Sequence, residues 1–168
     1  MRSSGGCLLI QTRLKELLSY NPETGVFVWN KATQGHASGA VAGGIDRQGY
    51  LRIGIDAKLK AAHRLAWLYV FGEDPDGFID HINGDKADNR IINLRSVGRR
   101  VNAENQRTPR SDNSSGFLGV VPTRRADRWC SQITVRGRAK HLGMFSSPQE
   151  AHQAYVSAKR VLHEGCTI

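Results

Sequence analysis

Residues 78–105 read FIDHINGDKADNRIINLRSVGRRVNAEN, and this stretch decides the fold. Phe78-Ile79-Asp80-His81 reads as a short strand running into Asn83-Gly84, a dipeptide that accepts positive φ and signals a hairpin. Ile91–Arg95 reads as a second short strand and Val97–Gln106 as a helix. The predicted order is therefore strand, loop, strand, helix. Within it four residues stand at a marked spacing, Asp80-His81-x11-Asn93-x8-Asn102. Phosphodiester hydrolysis needs a group that deprotonates water near neutral pH, and histidine titrates in that range. It also needs charge stabilisation on the phosphate and the departing 3′ oxygen, which a divalent ion held by oxygen donors supplies. His81 is the candidate base. Asp80 and the Asn102 amide oxygen are the candidate metal ligands, and Asn93 suits a hydrogen bond across the loop that orients His81. Adjacent strand residues point to opposite faces, so Asp80 and His81 need local twist or a bulge to serve one centre.

On the N-terminal side, Leu14–Leu18 reads as a short helix and Pro22-Glu23-Thr24-Gly25 as a turn. Val26–Trp29 reads as a strand, Lys31–Gly44 as a loop and Tyr50–Ile55 as a strand. Ala61–Phe71 is an apolar helix closed by Gly72. His63 reads as a buried packing residue in preference to a second active-site group. Arg64 is placed to reach a phosphate. Asn83, Asp85, Asp88 and Asn89 read as turn formers. Asn105 fits support of the site, contact with DNA or a solvated helix position.

The segment 78–105 with its flanks Ala62-His63-Arg64-Leu65-Ala66-Trp67, Asp88-Asn89-Arg90 and Asn93-Leu94-Arg95 resembles the HNH, or ββα-metal, nuclease motif of phage homing endonucleases. The resemblance spans about 14–107. It implies His81 as general base, Asp80 and Asn102 as metal ligands, and Asn93 as the residue that holds the loop. Asn102 stands where many members carry His. An oxygen donor there moves the expected metal toward Mg²⁺, with Mn²⁺ as a substitute, and away from Zn²⁺.

Gln106–Ser115 is polar and reads as a linker. Beyond it Phe117–Val121, Trp129–Val135 and Lys140–Phe145 read as strands. Ser147 as N-cap, Pro148 at N1 and Glu150 at N3 open a last helix, whose Ala151, Ala154, Tyr155, Ala158 and Leu162 form one apolar stripe. In the middle strand Trp129, Ser131, Ile133 and Val135 alternate with Cys130, Gln132, Thr134 and Arg136. Ser115-Gly116-x2-Gly119-Val120, Trp129, His141-Leu142-Gly143-x-Phe145 and the Ala/Tyr helix resemble the plant ethylene-response-factor (Apetala-type) DNA-binding domain. That domain is a three-stranded antiparallel sheet backed by one helix, with the sheet in the major groove. Gln132 and Thr134 are then candidates for base contact. Arg124, Arg125, Arg128, Arg136, Arg138 and Lys140 are candidate phosphate contacts, joined by Arg99, Arg100 and Arg107 on or beside the site helix.

Charge follows the same division. The whole chain of 168 residues carries a net charge of +9. Residues 1–98 contribute +2 and residues 99–168 contribute +7. A basic half points to a polyanion partner. Three scattered cysteines without a CxxC pair argue against structural zinc and fit a reducing compartment. Cys7–Ile10 is too short for a membrane span or a signal core.

The expected fold class is α+β, a small ββα-metal nuclease domain followed by a three-stranded antiparallel sheet backed by one helix. Its expected divisions are a disordered start at 1–10, the nuclease domain at 11–105, the linker at 106–114 and the DNA-binding domain at 115–168. The expected function is a metal-dependent, homing-type DNA endonuclease that prefers certain sites and nicks. It is expected as a cytosolic monomer whose partner is double-stranded DNA, with no membrane association. The alternative is a DNA-binding regulatory protein with a vestigial nuclease centre. The residues alone do not separate DNA from RNA; the resemblance favours DNA.

Overall fold

The protein is described as a computed structural model covering residues 10–32, 35–125 and 127–167. The expectation for the first residues lies outside this range, Ile10 excepted. The chain divides into two compact units, Met1–Val97 and Gly98–Ile168.

The first unit is built from helix α1 (Gln11–Leu17), strands β1 (Leu18–Tyr20), β2 (Phe27–Trp29), β3 (Gly44–Ile45), β4 (Leu51–Ile55) and β5 (Lys58–Ala61), helix α2 (Ala62–Phe71), strand β6 (Phe78–His81), a 3₁₀ turn at Ile91–Asn93 and strand β7 (Leu94–Val97). Its described residues form three small antiparallel sheets: β1–β2, β3–β4–β5 and β6–β7. Leu14, Leu18, Phe27, Trp29, Ile53, Leu65, Ala66, Ile79 and Leu94 share one buried core. Apolar side chains from both central elements, α2 and β6, thus anchor the segment that carries Asp80 and His81. The C-terminus of α2 ends as expected on Gly72, whose φ of +82° suits a residue without Cβ. One orphan carbonyl of that end, on Tyr69, accepts from Gln11 Nε2 at 2.7 Å.

The Asn83-Gly84 dipeptide does not make a two-residue hairpin. It forms a turn in which Gly84 N–H donates to His81 O at 2.9 Å, and it opens a longer loop through residue 93. Short side chains then bond backbone N–H groups two residues ahead: Asn83 to Asp85 N, Asp85 to Ala87 N and Asp88 to Arg90 N. This successive local bonding lets the loop curl without strand partners. The second strand accordingly begins at Leu94, and Ile91–Asn93, expected as its start, is a 3₁₀ turn.

The second unit comprises α3 (Arg99–Glu104), β8 (Val120–Pro122), β9 (Trp129–Val135), β10 (Arg138–Phe145) and α4 (Pro148–Leu162). The sheet order is β10–β9–β8, all antiparallel. The β9–β10 connection is the pair Arg136-Gly137 with φ of +50° and +79°, the double positive φ of a tight hairpin turn. Arg136 is therefore a turn residue and not part of the strand. Ser131 and Ile133 are buried while Gln132 and Thr134 are exposed, as the alternation predicts. The cap of α4 also forms as expected, with Ser147 Oγ accepting from Glu150 N at 3.2 Å and Pro148 at the first position. Gly119 (φ +74°) lies against Tyr155, so close that a Cβ would come within 1.9 Å of the ring.

Candidate active site

The β6–β7 pair runs in unbroken register, Asp80 opposite Arg95 and His81 opposite Leu94, with no bulge. Asp80 and His81 are both buried, at 7% and 5% exposure. By register, His81 shares the face of core residues Ile79 and Leu94, and Asp80 shares the face of Arg95. The Arg95 guanidinium donates through Nε and Nη2 to Asp80 Oδ2 at 2.9 and 2.7 Å.

The imidazole of His81 lies among rings. His63 stands edge-on with centroids 5.1 Å apart, and Tyr50 lies at 6.1 Å. Burial lowers the His81 pKa, opposed by its bond to Asn89 and by the charges of Asp80, Asp85 and Asp88. The result is a neutral imidazole at physiological pH, the form a general base requires. His63 is pushed down further, to about 4, by burial first and then by His81, Arg52 and Arg64. Its Nδ1 is buried with no hydrogen-bond partner among the described residues.

Asn93 spans the loop with both ends of its amide. Oδ1 accepts from Asn83 N at 2.9 Å, and Nδ2 donates to Asp88 O at 2.8 Å. Its own carbonyl accepts from Ile82 N at 2.9 Å. These bonds fix the chain immediately after His81. Asp88 is held near pKa 2, chiefly by the Arg90 side chain, so the loop also carries a permanent ion pair.

Sequence reasoning treated Asn89 as a turn former only. In the fold it is 1% exposed, and its Oδ1 lies 3.3 Å from His81 Nε2. No spacing rule would have found this contact, because it depends on how the loop closes. Arg64, read as a phosphate contact, pairs with Asp74 at 2.7 Å.

Asn102 lies half-buried on α3, in the second unit. Arg99 is exposed on the same helix. Arg100 pairs with Glu104 at 2.9 Å and Glu164 at 2.8 Å. Arg107 donates to Thr167 O at 2.9 Å. Gln106 O accepts from the buried Lys159, and Asn105 bonds Thr167. The start of the expected linker is thus fastened to the C-terminal segment by partly buried polar contacts.

On the sheet, Gln132 pairs with His141 and Thr134 with Ala139, so these four share the exposed face. Arg138 and Lys140 pair with Val135 and Ile133 and take the other side of the pleat by register. Gln132 and Thr134, with Arg136, Tyr155 and His163, help line a cavity of about 460 Å³. Arg124, Arg125 and Arg128 line a separate cavity of about 440 Å³ with Thr123 and Met144. Thr123 Oγ1 donates to Arg125 O and Arg128 O, both at 2.9 Å, which curls this loop and gathers its three cations.

Among the described residues no group of three or more His, Cys, Asp or Glu side chains is placed to hold a metal. A divalent ion at Asp80 would then draw on one carboxylate, amide or water oxygens and substrate phosphate. That donor set suits Mg²⁺, which keeps several waters, better than a closed zinc cage. Among the described residues no helix is long and apolar enough to cross a membrane.

A family model described as HNH endonuclease matches residues 60–104. Protein 3.8 of Escherichia phage T7 is 32% identical over 82 residues, covering 48% of this chain and 67% of that protein. No solved structure matches the chain. The matched segment begins at the end of β5 and takes in α2, the β6–β7 pair and α3, and on these grounds the chain belongs to the family of phage T7 Protein 3.8, with an HNH endonuclease domain at residues 60–104.

Proposed function

We propose that the protein is a metal-dependent, homing-type DNA endonuclease in which His81 takes a proton from the attacking water. The observation that carries this reading is a buried carboxylate and a buried, neutral imidazole at consecutive positions at the end of β6, inside the segment that the HNH endonuclease model matches. Asn93 clamps the loop that follows them. Asp80 and Asn102 would hold the divalent ion, Mg²⁺ by donor type, and the ion when bound neutralises charge on the scissile phosphate. One such centre cuts one strand per binding event, so the expected product of a monomer is a nick. The C-terminal sheet and helix serve as an Apetala-type DNA-binding domain. The Arg124–Arg128 loop supplies phosphate contacts, and Gln132 and Thr134 face the bases. Arg99 is exposed for the same use, whereas Arg100 and Arg107 mainly secure the C-terminal segment. The proposed place of action is the cytoplasm of a prokaryotic or phage-infected cell.

The Asp80–Arg95 ion pair favours a second reading, because a guanidinium sits on the carboxylate that a metal would need. In that reading the chain binds DNA as a regulator and its nuclease centre is vestigial. A plasmid-nicking assay with Mg²⁺ and an EDTA control separates the two. We expect Mg²⁺-dependent nicking by the wild type. His81→Ala should lose nicking while DNA affinity stays within about a few-fold, since removing a general base costs about 10²–10⁴ in rate. Wild type that binds DNA without nicking establishes the regulatory reading, and an active His81→Ala removes His81 as the base.

A further inference from the structure

Asn89 lies in the loop after β6, and its side-chain amide meets the ring nitrogen of His81 that faces the loop. We propose that Asn89 is a positioning residue that locks His81 in the Nε2–H tautomer and so leaves the proton-accepting lone pair on Nδ1. Its catalytic meaning rests on the nuclease reading, although the tautomer itself does not.

The amide cannot be turned around. Asn89 Nδ2 donates to Ala87 O at 2.9 Å. Reversal would set Oδ1 against that carbonyl, two acceptors facing each other. The Asn89 oxygen is therefore the atom 3.3 Å from His81 Nε2. An amide oxygen only accepts, so the proton of the neutral ring resides on Nε2.

The placement of Asn89 is itself imposed from a distant part of the chain. Its carbonyl accepts from the Tyr20 hydroxyl at 2.7 Å. Burial, aided by the charge of Asp88, pushes the Tyr20 phenol up to about 12, so it remains a donor throughout the working range. Gly25, at φ +75°, packs so tightly that a Cβ would come within 2.6 Å of the Asn89 and Arg90 backbone. Pro22 O also accepts from Ile91 N at 3.1 Å. The β1–β2 hairpin thus holds the loop, the loop holds Asn89, and Asn89 holds the ring. Tyr50 and His63 flank the same ring and limit its swing.

The test uses the metal-free full chain with ¹⁵N-labelled histidine, read at pH 7.5 by long-range ¹H–¹⁵N correlation. Wild type should show His81 as a single Nε2–H tautomer. Asn89→Asp retains an acceptor toward Nε2 and should keep that signature, while its second oxygen meets Ala87 O in place of the lost N–H donor, so nicking should fall. Asn89→Leu should show mixed tautomers and a kcat lower by about 10–100-fold with KM little changed, the scale of losing a residue that orients a working histidine. Protonation of wild-type His81 at Nδ1 overturns the proposal. So does an Asn89→Leu protein with unchanged tautomer and kcat. Should Asn89→Leu fail to fold, the wild-type tautomer and Asn89→Asp decide the matter. A wild type that shows the Nε2–H signature but never nicks removes the nuclease reading and leaves the tautomer assignment standing.

Discussion

Lowering the pH from 7 to 4 should destabilise the first unit through His63. This residue sits in the first turn of α2, its ring 5.5 Å from Tyr50 and 5.1 Å from His81 by centroid. Burial is the largest cause that drives its pKa to about 4, and the nearby His81, Arg52 and Arg64 add to it. In the unfolded chain the same group titrates near its ordinary value of about 6.5. Between these two values the unfolded chain binds a proton that the folded one refuses. Stability is therefore intact above about pH 6.5 and falls as pH falls, until both states are protonated near pH 4. The gap is worth about 3 kcal/mol at most, reduced where the half-buried ring meets solvent. Urea unfolding at pH 7, 6, 5 and 4, followed by the fluorescence of Trp29 and Trp67, measures the loss. His63→Phe keeps a ring in place and does not titrate. Its pH curve should be flatter by most of those 3 kcal/mol, with a residual slope from His81, whose pKa is also lowered. Parallel curves for wild type and His63→Phe would refute the reasoning.

Other outcomes follow from single contacts. Asn93→Ala leaves Asn83 N–H and Asp88 C=O without their partner and should cost about 2 kcal/mol, while Asn93→Asp keeps the acceptor for Asn83 N–H but sets a buried carboxylate oxygen against Asp88 O and should cost at least as much; thermal melts decide between them. Gly119→Ala drives a Cβ into the Tyr155 ring at a left-handed φ, and calorimetry should show the second unit weakened by about 2–4 kcal/mol. A loss below about 1 kcal/mol would mean that α4 slides to make room. Replacing Arg124, Arg125 and Arg128 together by Ala should lower the salt dependence of DNA binding by up to about three phosphate contacts, leaving sequence preference intact. An unchanged slope in filter-binding titrations would clear this loop of phosphate contact.

Features set by neighbours in sequence were legible before any fold was known. The Ser147-Pro148-x-Glu150 start of α4 and the in–out alternation of β9 each depend on residues within a turn or two of one another. So does the Gly72 stop of α2. What failed locally failed because a distant partner intervened. Asn83-Gly84 opened a long loop once Asn93 reached back to Asn83 and Asp88. Ala61, expected as the first residue of a helix, instead pairs with Arg52 across β4 and β5. The helix expected over 97–106 shortened to Arg99–Glu104, since Val97 pairs in β7 and Gln106 is bound by Lys159. The residues on which the proposed chemistry rests were thus legible in the chain. The face each presents and the ion pair between Asp80 and Arg95 were decided by packing, where side chains far apart in sequence compete for the same hydrogen bonds.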